Sequence, residues 1–171
     1  MTMVLETPRL RLRQMTLADA DSLLEIFADP VAMYHYPSTK DRGETEAWIA
    51  RHRRGYAEHG VGLWIAEFAS TGTFAGQCGL VVQEVDGREE LEIGYLFLRR
   101  HWGQGLATEA ARACRDYGFT QLDRERLIAI MTPANRASRR VAEKTGLHFE
   151  KQIAWRGLPA CVYAIEQVRA P

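Results

Sequence analysis

The sequence predicts an α+β fold of the three-layer αβα kind: a mixed, mostly antiparallel sheet of about seven strands flanked by about four helices. Three observations predict it. Hydrophobic periodicity orders the elements as β-α-α-β-β-β-α-β-α-β-β. The middle three strands are joined by the turns Ser70-Thr71-Gly72-Thr73 and Asp86-Gly87, so they form an antiparallel meander. A helix separates the strands at 90–98 and 127–132, which makes them parallel neighbours in a right-handed crossover with helices on both faces of the sheet.

Taken in order, Leu10 and Leu12 alternate with arginines, as a short strand does. Thr16 and Asp19 have capping-box spacing, with Asp replacing the usual Glu or Gln, and open a helix whose apolar face is Leu17, Leu23, Leu24, Ile26 and Phe27. Asp29-Pro30 stops it. Residues 35–41 read as loop. A second helix spans 44–58, with Trp48, Ile49 and Tyr56 inward and Arg51, Arg53 and Arg54 largely outward. The meander strands are 62–69, 74–85 and 90–98. After Gly103 and Gly105 a helix runs to about Phe119, and Ala107, Ala110, Ala111, Ala113 and Cys114 let it lie close to a sheet. A buried strand follows at 127–132. Pro133 or Asn135 opens the last helix, and Gly146 ends it as the C′ residue. Strands at 148–155 and 160–167 flank a turn at 156–159.

A chain of 171 residues, 46% hydrophobic and 26% charged, excludes disordered and low-complexity classes. It suits one domain, 1–171, that buries roughly 70% of its unfolded surface. The 22 basic and 22 acidic residues cancel, so no net field draws the chain to nucleic acid or to an anionic membrane. The apolar runs at 79–82 and 127–131 are too short to span a bilayer. Glu6, Pro8 and Arg9 interrupt the stretch that a secretory signal would need. Cys78, Cys114 and Cys161 lie far apart, against a disulfide framework or a zinc knuckle, and the five histidines form no His-x-x-x-His pair. The expectation is a cytoplasmic monomer or homodimer without a metal, a nucleic-acid partner or a membrane partner.

The sharpest feature is Arg99-Arg100-His101-Trp102-Gly103-Gln104-Gly105-Leu106-Ala107-Thr108, between a strand and a helix. Gly103 and Gly105 reach backbone angles that other residues avoid and let a ligand touch the main chain. The helix start supplies free N–H groups at its positive pole, a cradle suited to phosphate or diphosphate. No lysine follows as a P-loop requires, and Thr108 replaces the third glycine of a dinucleotide fingerprint. The alternative is that the two glycines only shape a tight turn.

Arg100-x-x-Gly103-x-Gly105-x-Ala107 resembles the signature of GNAT-type N-acetyltransferases, and the block from Tyr95 to Ala110 resembles their RimJ/RimL branch. Leu5-Glu6-Thr7-Pro8-Arg9-Leu10-x-Leu12-Arg13 is similar to that branch's first strand. Asn135-Arg136-Ala137-Ser138 with Glu143-Lys144-Thr145-Gly146-Leu147 is similar to its later Asn-x-x-Ser motif. The resemblance implies a sheet whose central parallel strands splay apart, with acetyl-CoA as cosubstrate in the gap. Its pantetheine would pair with the backbone of Leu96, Phe97 and Leu98. Its diphosphate would sit on the N–H groups of Arg100, His101, Trp102, Gly103, Gln104, Gly105, Leu106, Ala107 and Thr108. The implied reaction is direct acetyl transfer to a primary amine, at a protein N-terminus or on a small molecule, with an oxyanion donor near Phe97 or Leu98. The alternatives are a non-catalytic CoA-binding sensor or scaffold, and acyl transfer to an antibiotic-like amine.

Glu92 is the candidate base, because a carboxylate inside the apolar run Leu91-Glu92-Ile93-Gly94-Tyr95-Leu96 needs a reason; a solvated face or an arginine partner is the alternative. Ser138 matches the serine proposed to protonate the leaving thiolate, or else it satisfies backbone in a first helical turn. Asn135 would contact pantetheine amides or cap its helix. Tyr163 is a second proton donor or a core residue. Trp102 walls the cofactor or packs. Arg51, Arg53 and Arg54 greet an acidic substrate or line a solvated helix face. Cys114 reads as helix packing. Residues 29–41, with Met33, Tyr34, His35 and Tyr36, would border the acceptor groove.

Overall fold

The computed structural model describes residues 1–168. Its elements are β1 (Met3–Glu6), β2 (Leu10–Arg13), α1 (Ala20–Phe27), α2 (Arg42–His59), β3 (Leu63–Phe68), β4 (Phe74–Val85), β5 (Arg88–Phe97), α3 (Leu106–Thr120), β6 (Arg126–Met131), α4 (Arg136–Lys144), β7 (His148–Trp155) and β8 (Leu158–Glu166). They form an eight-stranded sheet in the order β1-β2-β3-β4-β5-β6-β8-β7. All neighbours are antiparallel except β5 and β6.

The eighth strand is β1, which pairs with β2 through Leu5 and Leu12. It is short and half-exposed, and its ladder with β2 is irregular, so its four residues carry no clean period-two pattern. Helix α2 begins at Arg42, two residues before 44, because Asp41 is the cap: its Oδ1 accepts the Glu44 N–H at 2.8 Å, and Glu44 Oε2 accepts the Asp41 N–H at 2.8 Å. At α1 the Thr16–Asp19 pair closes as expected, the Thr16 N–H reaching Asp19 Oδ2 at 2.7 Å. The β7–β8 turn is tighter than 156–159. Arg156 and Gly157 both adopt positive φ, 50° and 79°, so β8 starts at Leu158.

Two apolar layers hold the helices to the sheet. On one face α1 and Ile49 of α2 pack with Leu63, Ile65 and Leu98. On the other, α3 lays Ala110, Ala111 and Cys114, all fully buried, against Trp64, Cys78, Leu80 and Phe97. Small side chains set that close approach: a Cβ on Gly118 of α3 would sit 3.0 Å from Leu127. The close seat of α3 fixes its N-terminus at the end of β5. A buried ion cluster ties β2 to the start of α1, with Arg13 Nη2 at 2.7 Å from Asp19 Oδ1 and 2.6 Å from Glu67 Oε1.

Candidate active site

Strands β5 and β6 share one bridge, Glu92 with Ile128, and then part. The β4–β5 register is unbroken, and the Leu98 N–H donates to Ala75 O at 3.0 Å. Alternation along an antiparallel ladder therefore turns the N–H and C=O of Leu96 and Leu98 toward β4 and those of Tyr95 and Phe97 toward the gap. This corrects the expected pantetheine edge: Leu96 and Leu98 have no backbone groups to offer, and Leu98 is excluded as an oxyanion donor. Of Leu96, Phe97 and Leu98, Leu96 alone lines the cavity. Trp102 Nε1 donates to Phe97 O at 2.9 Å, which leaves the Phe97 N–H and both groups of Tyr95 on the open edge. The indole of Trp102, 48% exposed, lies across the end of that edge.

The glycine loop follows. Gly103 and Gly105 have φ of 75° and 76°, and a Cβ on Gly103 would meet nothing within 4 Å. Gly105 is the N-cap of α3 without a side-chain cap, so the first-turn N–H groups of Leu106, Ala107 and Thr108 have no helical acceptor. The Leu106 side chain itself is buried in the core. The cradle is narrower than expected, because a 3-10 turn uses its first residues. The His101 N–H donates to Leu98 O at 2.9 Å and the Trp102 N–H to Arg99 O at 3.1 Å. The Arg100 guanidinium turns away to Glu25 at 2.7 Å, and the His101 ring packs edge-on to Phe68. What remains for an anion is the main chain from Gly103 to Thr108, with Gln104 between the glycines. Arg9 braces this stretch: Nη1 reaches Gln104 O at 2.9 Å, Nε reaches Glu109 at 2.6 Å, and Nη2 lies 3.6 Å from where a Gly105 Cβ would be. Sequence placed Arg9 in a motif; only the fold brings it to the loop.

A cavity of about 320 Å³ opens between the parted strands. Glu92 lies in its wall, at the point where β5 and β6 separate. Burial raises its pKa; opposing that, Gln83 Nε2 donates to Oε2 at 2.7 Å, and Arg156, the Ile130 N–H and Arg51 also favour the charged form. The net direction is upward. Across the gap, at the start of α4, Ser138 Oγ donates to the Tyr95 hydroxyl at 3.1 Å, and that hydroxyl donates to the Ser138 carbonyl at 2.7 Å. Burial holds the Tyr95 phenol well above its ordinary pKa, so it stays protonated at neutral pH. Asn135 Oδ1 accepts the Ser138 N–H at 3.1 Å; the cap reading is the one the geometry realises, and the residue also lines the cavity.

The 29–41 segment borders the cavity with Met33, His35, Tyr36, Pro37 and Lys40, and His35 Nδ1 lies 3.3 Å from Thr132 Oγ1 across the gap. Arg51 reaches the cavity, whereas Arg53 and Arg54 are exposed and line no part of it. Tyr163 is a core residue, 1% exposed, whose hydroxyl accepts from Arg139 Nε at 2.9 Å; it is absent from the cavity wall. The tyrosine of the site is Tyr95. Its place three residues beyond Glu92 puts the two side chains on opposite faces of the strand, so spacing gives no signal, and both reach one cavity where β5 and β6 part. Cys78, Cys114 and Cys161 are buried away from the cavity, and burial beside Cys78 pushes the Cys114 thiol up. Among the described residues no group of three His, Cys, Asp or Glu side chains gathers as a metal site, and no helix is long and apolar enough to cross a membrane.

A family model described as the acetyltransferase (GNAT) domain matches residues 9–148. The chain belongs to the GNAT acetyltransferase family. That span contains the open β5 edge and the glycine loop, and it ends just after α4. The GNAT chain is similar to the uncharacterized protein YkkB of Bacillus subtilis, with 46% identity over 93% of each chain. It is also similar to the crystal structure of an acetyltransferase from Agrobacterium tumefaciens, with a TM-score of 0.85 and 28% identity, covering 98% of this chain and 95% of that one. The ribosomal L7/L12 acetyltransferase RimL in complex with coenzyme A shares the fold, with a TM-score of 0.79 and 16% identity, covering 96% of this chain and 97% of that one. GNAT acetyltransferases use acetyl-CoA, and the residues present fit it. The Gly103–Thr108 amides form an anion cradle shaped by two left-handed glycines, and β5 offers an unpaired edge for an amide chain.

Proposed function

We propose that the protein is an N-acetyltransferase that moves an acetyl group from acetyl-CoA to a primary amine by direct transfer. One observation carries this reading: a carboxylate stands in the cavity where β5 and β6 part, opposite a tyrosine–serine pair, with an anion cradle at the far end of the same strand. Acetyl-CoA supplies the thioester. Glu92, charged, takes the proton that the amine loses as its nitrogen bonds to the carbonyl carbon. The Tyr95 N–H, the open-edge donor nearer Glu92, faces the gap as a donor for the oxygen that gains charge. The carbon–sulfur bond breaks, and the Tyr95 hydroxyl holds a proton for the departing sulfur, with Ser138 Oγ orienting it. Among the described residues no cysteine lines the cavity, which supports transfer without an acyl-enzyme.

The test is release of free thiol from acetyl-CoA, followed over a broad amine panel, with mass spectrometry of the acetylated product. The reading predicts equal amounts of thiol and N-acetyl product. It also predicts that Glu92→Gln loses more than tenfold in kcat while CoA affinity stays within twofold. Tight CoA binding without thiol release from any amine would overturn it in favour of a non-catalytic CoA-binding module.

A further inference from the structure

The wall of the cavity is charged unevenly. Among the described residues it holds three cationic side chains, Lys40, Arg51 and Arg156, against one carboxylate, Glu92. At the end of β5, Arg99 pairs with Asp29 at 2.9 Å and Arg100 with Glu25 at 2.7 Å. Arg51 and Arg156 have no ion pair among the described residues. Arg51 is half-buried, and burial together with the nearby Arg156 lowers its guanidinium pKa, which is the mark of a cation short of a counter-charge. Glu92 is a partial counterweight only, because Gln83 and the Ile130 N–H already engage it.

The two arginines reach the cavity from different elements, Arg156 from an exposed turn and Arg51 from α2. Arg156 has a φ of 50°, unusual for a long side chain, in a two-residue turn where Asn, Asp or Gly is the common choice. Its guanidinium lies over Trp155, 5.2 Å from the ring centre. Arg51 projects from α2, whose Trp48 and His52 form the neighbouring wall and stack edge-to-face at 4.7 Å. A guanidinium fork fits a carboxylate through two parallel hydrogen bonds. A polyamine or an aminoglycoside would instead bring several positive charges to a wall that is already positive. The cavity of about 320 Å³ must also take the thioester end of CoA, which leaves space for a small acceptor.

We infer that the acceptor is a small zwitterionic amine of amino-acid type, its carboxylate bound by Arg51 and Arg156 and its amine directed to Glu92. The inference rests on reading this cavity as the acceptor site of an acetyltransferase.

The experiment compares the twenty common L-amino acids with their carboxamides, which keep the amine and lose the acid, and with spermidine. Thiol release is measured for the wild type, Arg51→Gln, Arg156→Gln and the double variant. At least one amino acid is expected to exceed its carboxamide by tenfold or more in kcat/KM, and the variants are expected to bring that ratio toward one through KM. Carboxamides or spermidine equal to or better than the acids in the wild type would overturn the inference, as would an unchanged ratio in the double variant. The wild-type comparison stands even where a variant does not fold. If nothing in the panel is acetylated, calorimetry of the amino acids in the presence of CoA separates the two claims. Binding by wild type that the double variant loses would keep the zwitterion site while the transferase reading fails. No binding by wild type, or equal binding by both, would overturn the site as well.

Discussion

Glu92 is a carboxylate that the native fold would rather protonate, and this has two measurable consequences of opposite sign. Its folded pKa lies above the unfolded value, so its favourable contribution to stability is complete below the unfolded carboxyl pKa and is lost as pH rises through the folded one. Glu92→Gln is therefore expected to raise Tm at pH 7.5 and to change it little at pH 4, as read by thermal melts. Its role as base runs the other way: activity needs the ion, so kcat/KM should rise with pH through a pKa above the ordinary carboxylate range, and the Gln variant should lack that limb. At Tyr95 the expected loss is in turnover. Tyr95→Phe removes the hydroxyl that Ser138 engages, and kcat should fall at least tenfold; Ser138→Ala, which leaves that hydroxyl bonded to the backbone carbonyl, should cost less. Steady-state kinetics of the pair decide it, and equal losses would assign the proton to Ser138. Glu92 was legible in the sequence because a charge in an apolar strand has to be explained. Tyr95 was not, because a tyrosine in a strand is unremarkable until α4 sets Ser138 against it.

Among the elements, the glycine loop owes its geometry to α3 lying tight on the sheet. Gly105→Asp puts a carboxylate at the helix start where the cradle must accept an anion, and Asp tolerates the left-handed backbone, so the fold survives. CoA affinity measured by calorimetry should fall more than tenfold, about 1.4 kcal/mol or more; unchanged affinity would remove the cradle from the account. Helix α2 carries a different pH signature. Its buried His52 accepts the Leu63 N–H at Nδ1 (3.1 Å), and burial holds its pKa down to about 3. The unfolded chain takes up a proton below about 6.5 and the native one does not. Stability should therefore fall as pH drops from about 6.5 toward 3, and His52→Asn should flatten that slope in denaturant titrations at pH 7 and pH 4.5. The loop's position and glycines could be read from sequence. Which of its amides are free could not, because that depends on the 3-10 turn that engages His101 and Trp102.

Across the whole molecule, the order of elements followed from turns and periodicity, and the sheet agrees with it except at β1, whose four residues show no pattern of their own. The family motifs pointed to the splay between β5 and β6, but residue-level contacts in the gap depend on ladder parity. One hydrogen bond, Leu98 to Ala75, shifts the open edge from Leu96 and Leu98 to Tyr95 and Phe97. The cavity likewise needs pieces far apart in the chain: Arg51 from α2, Gln83 and Glu92 from the meander, and Arg156 from the last hairpin. No local window of sequence brings them together. The most direct test of the account is a crystal structure of the protein with CoA. The diphosphate should lie on the amides of Gly103 to Thr108, with pantetheine amides hydrogen-bonded to Tyr95 and Phe97 and the sulfur near the Tyr95 hydroxyl. CoA bound away from the parted strands, or a sulfur remote from both Tyr95 and Glu92, would contradict it.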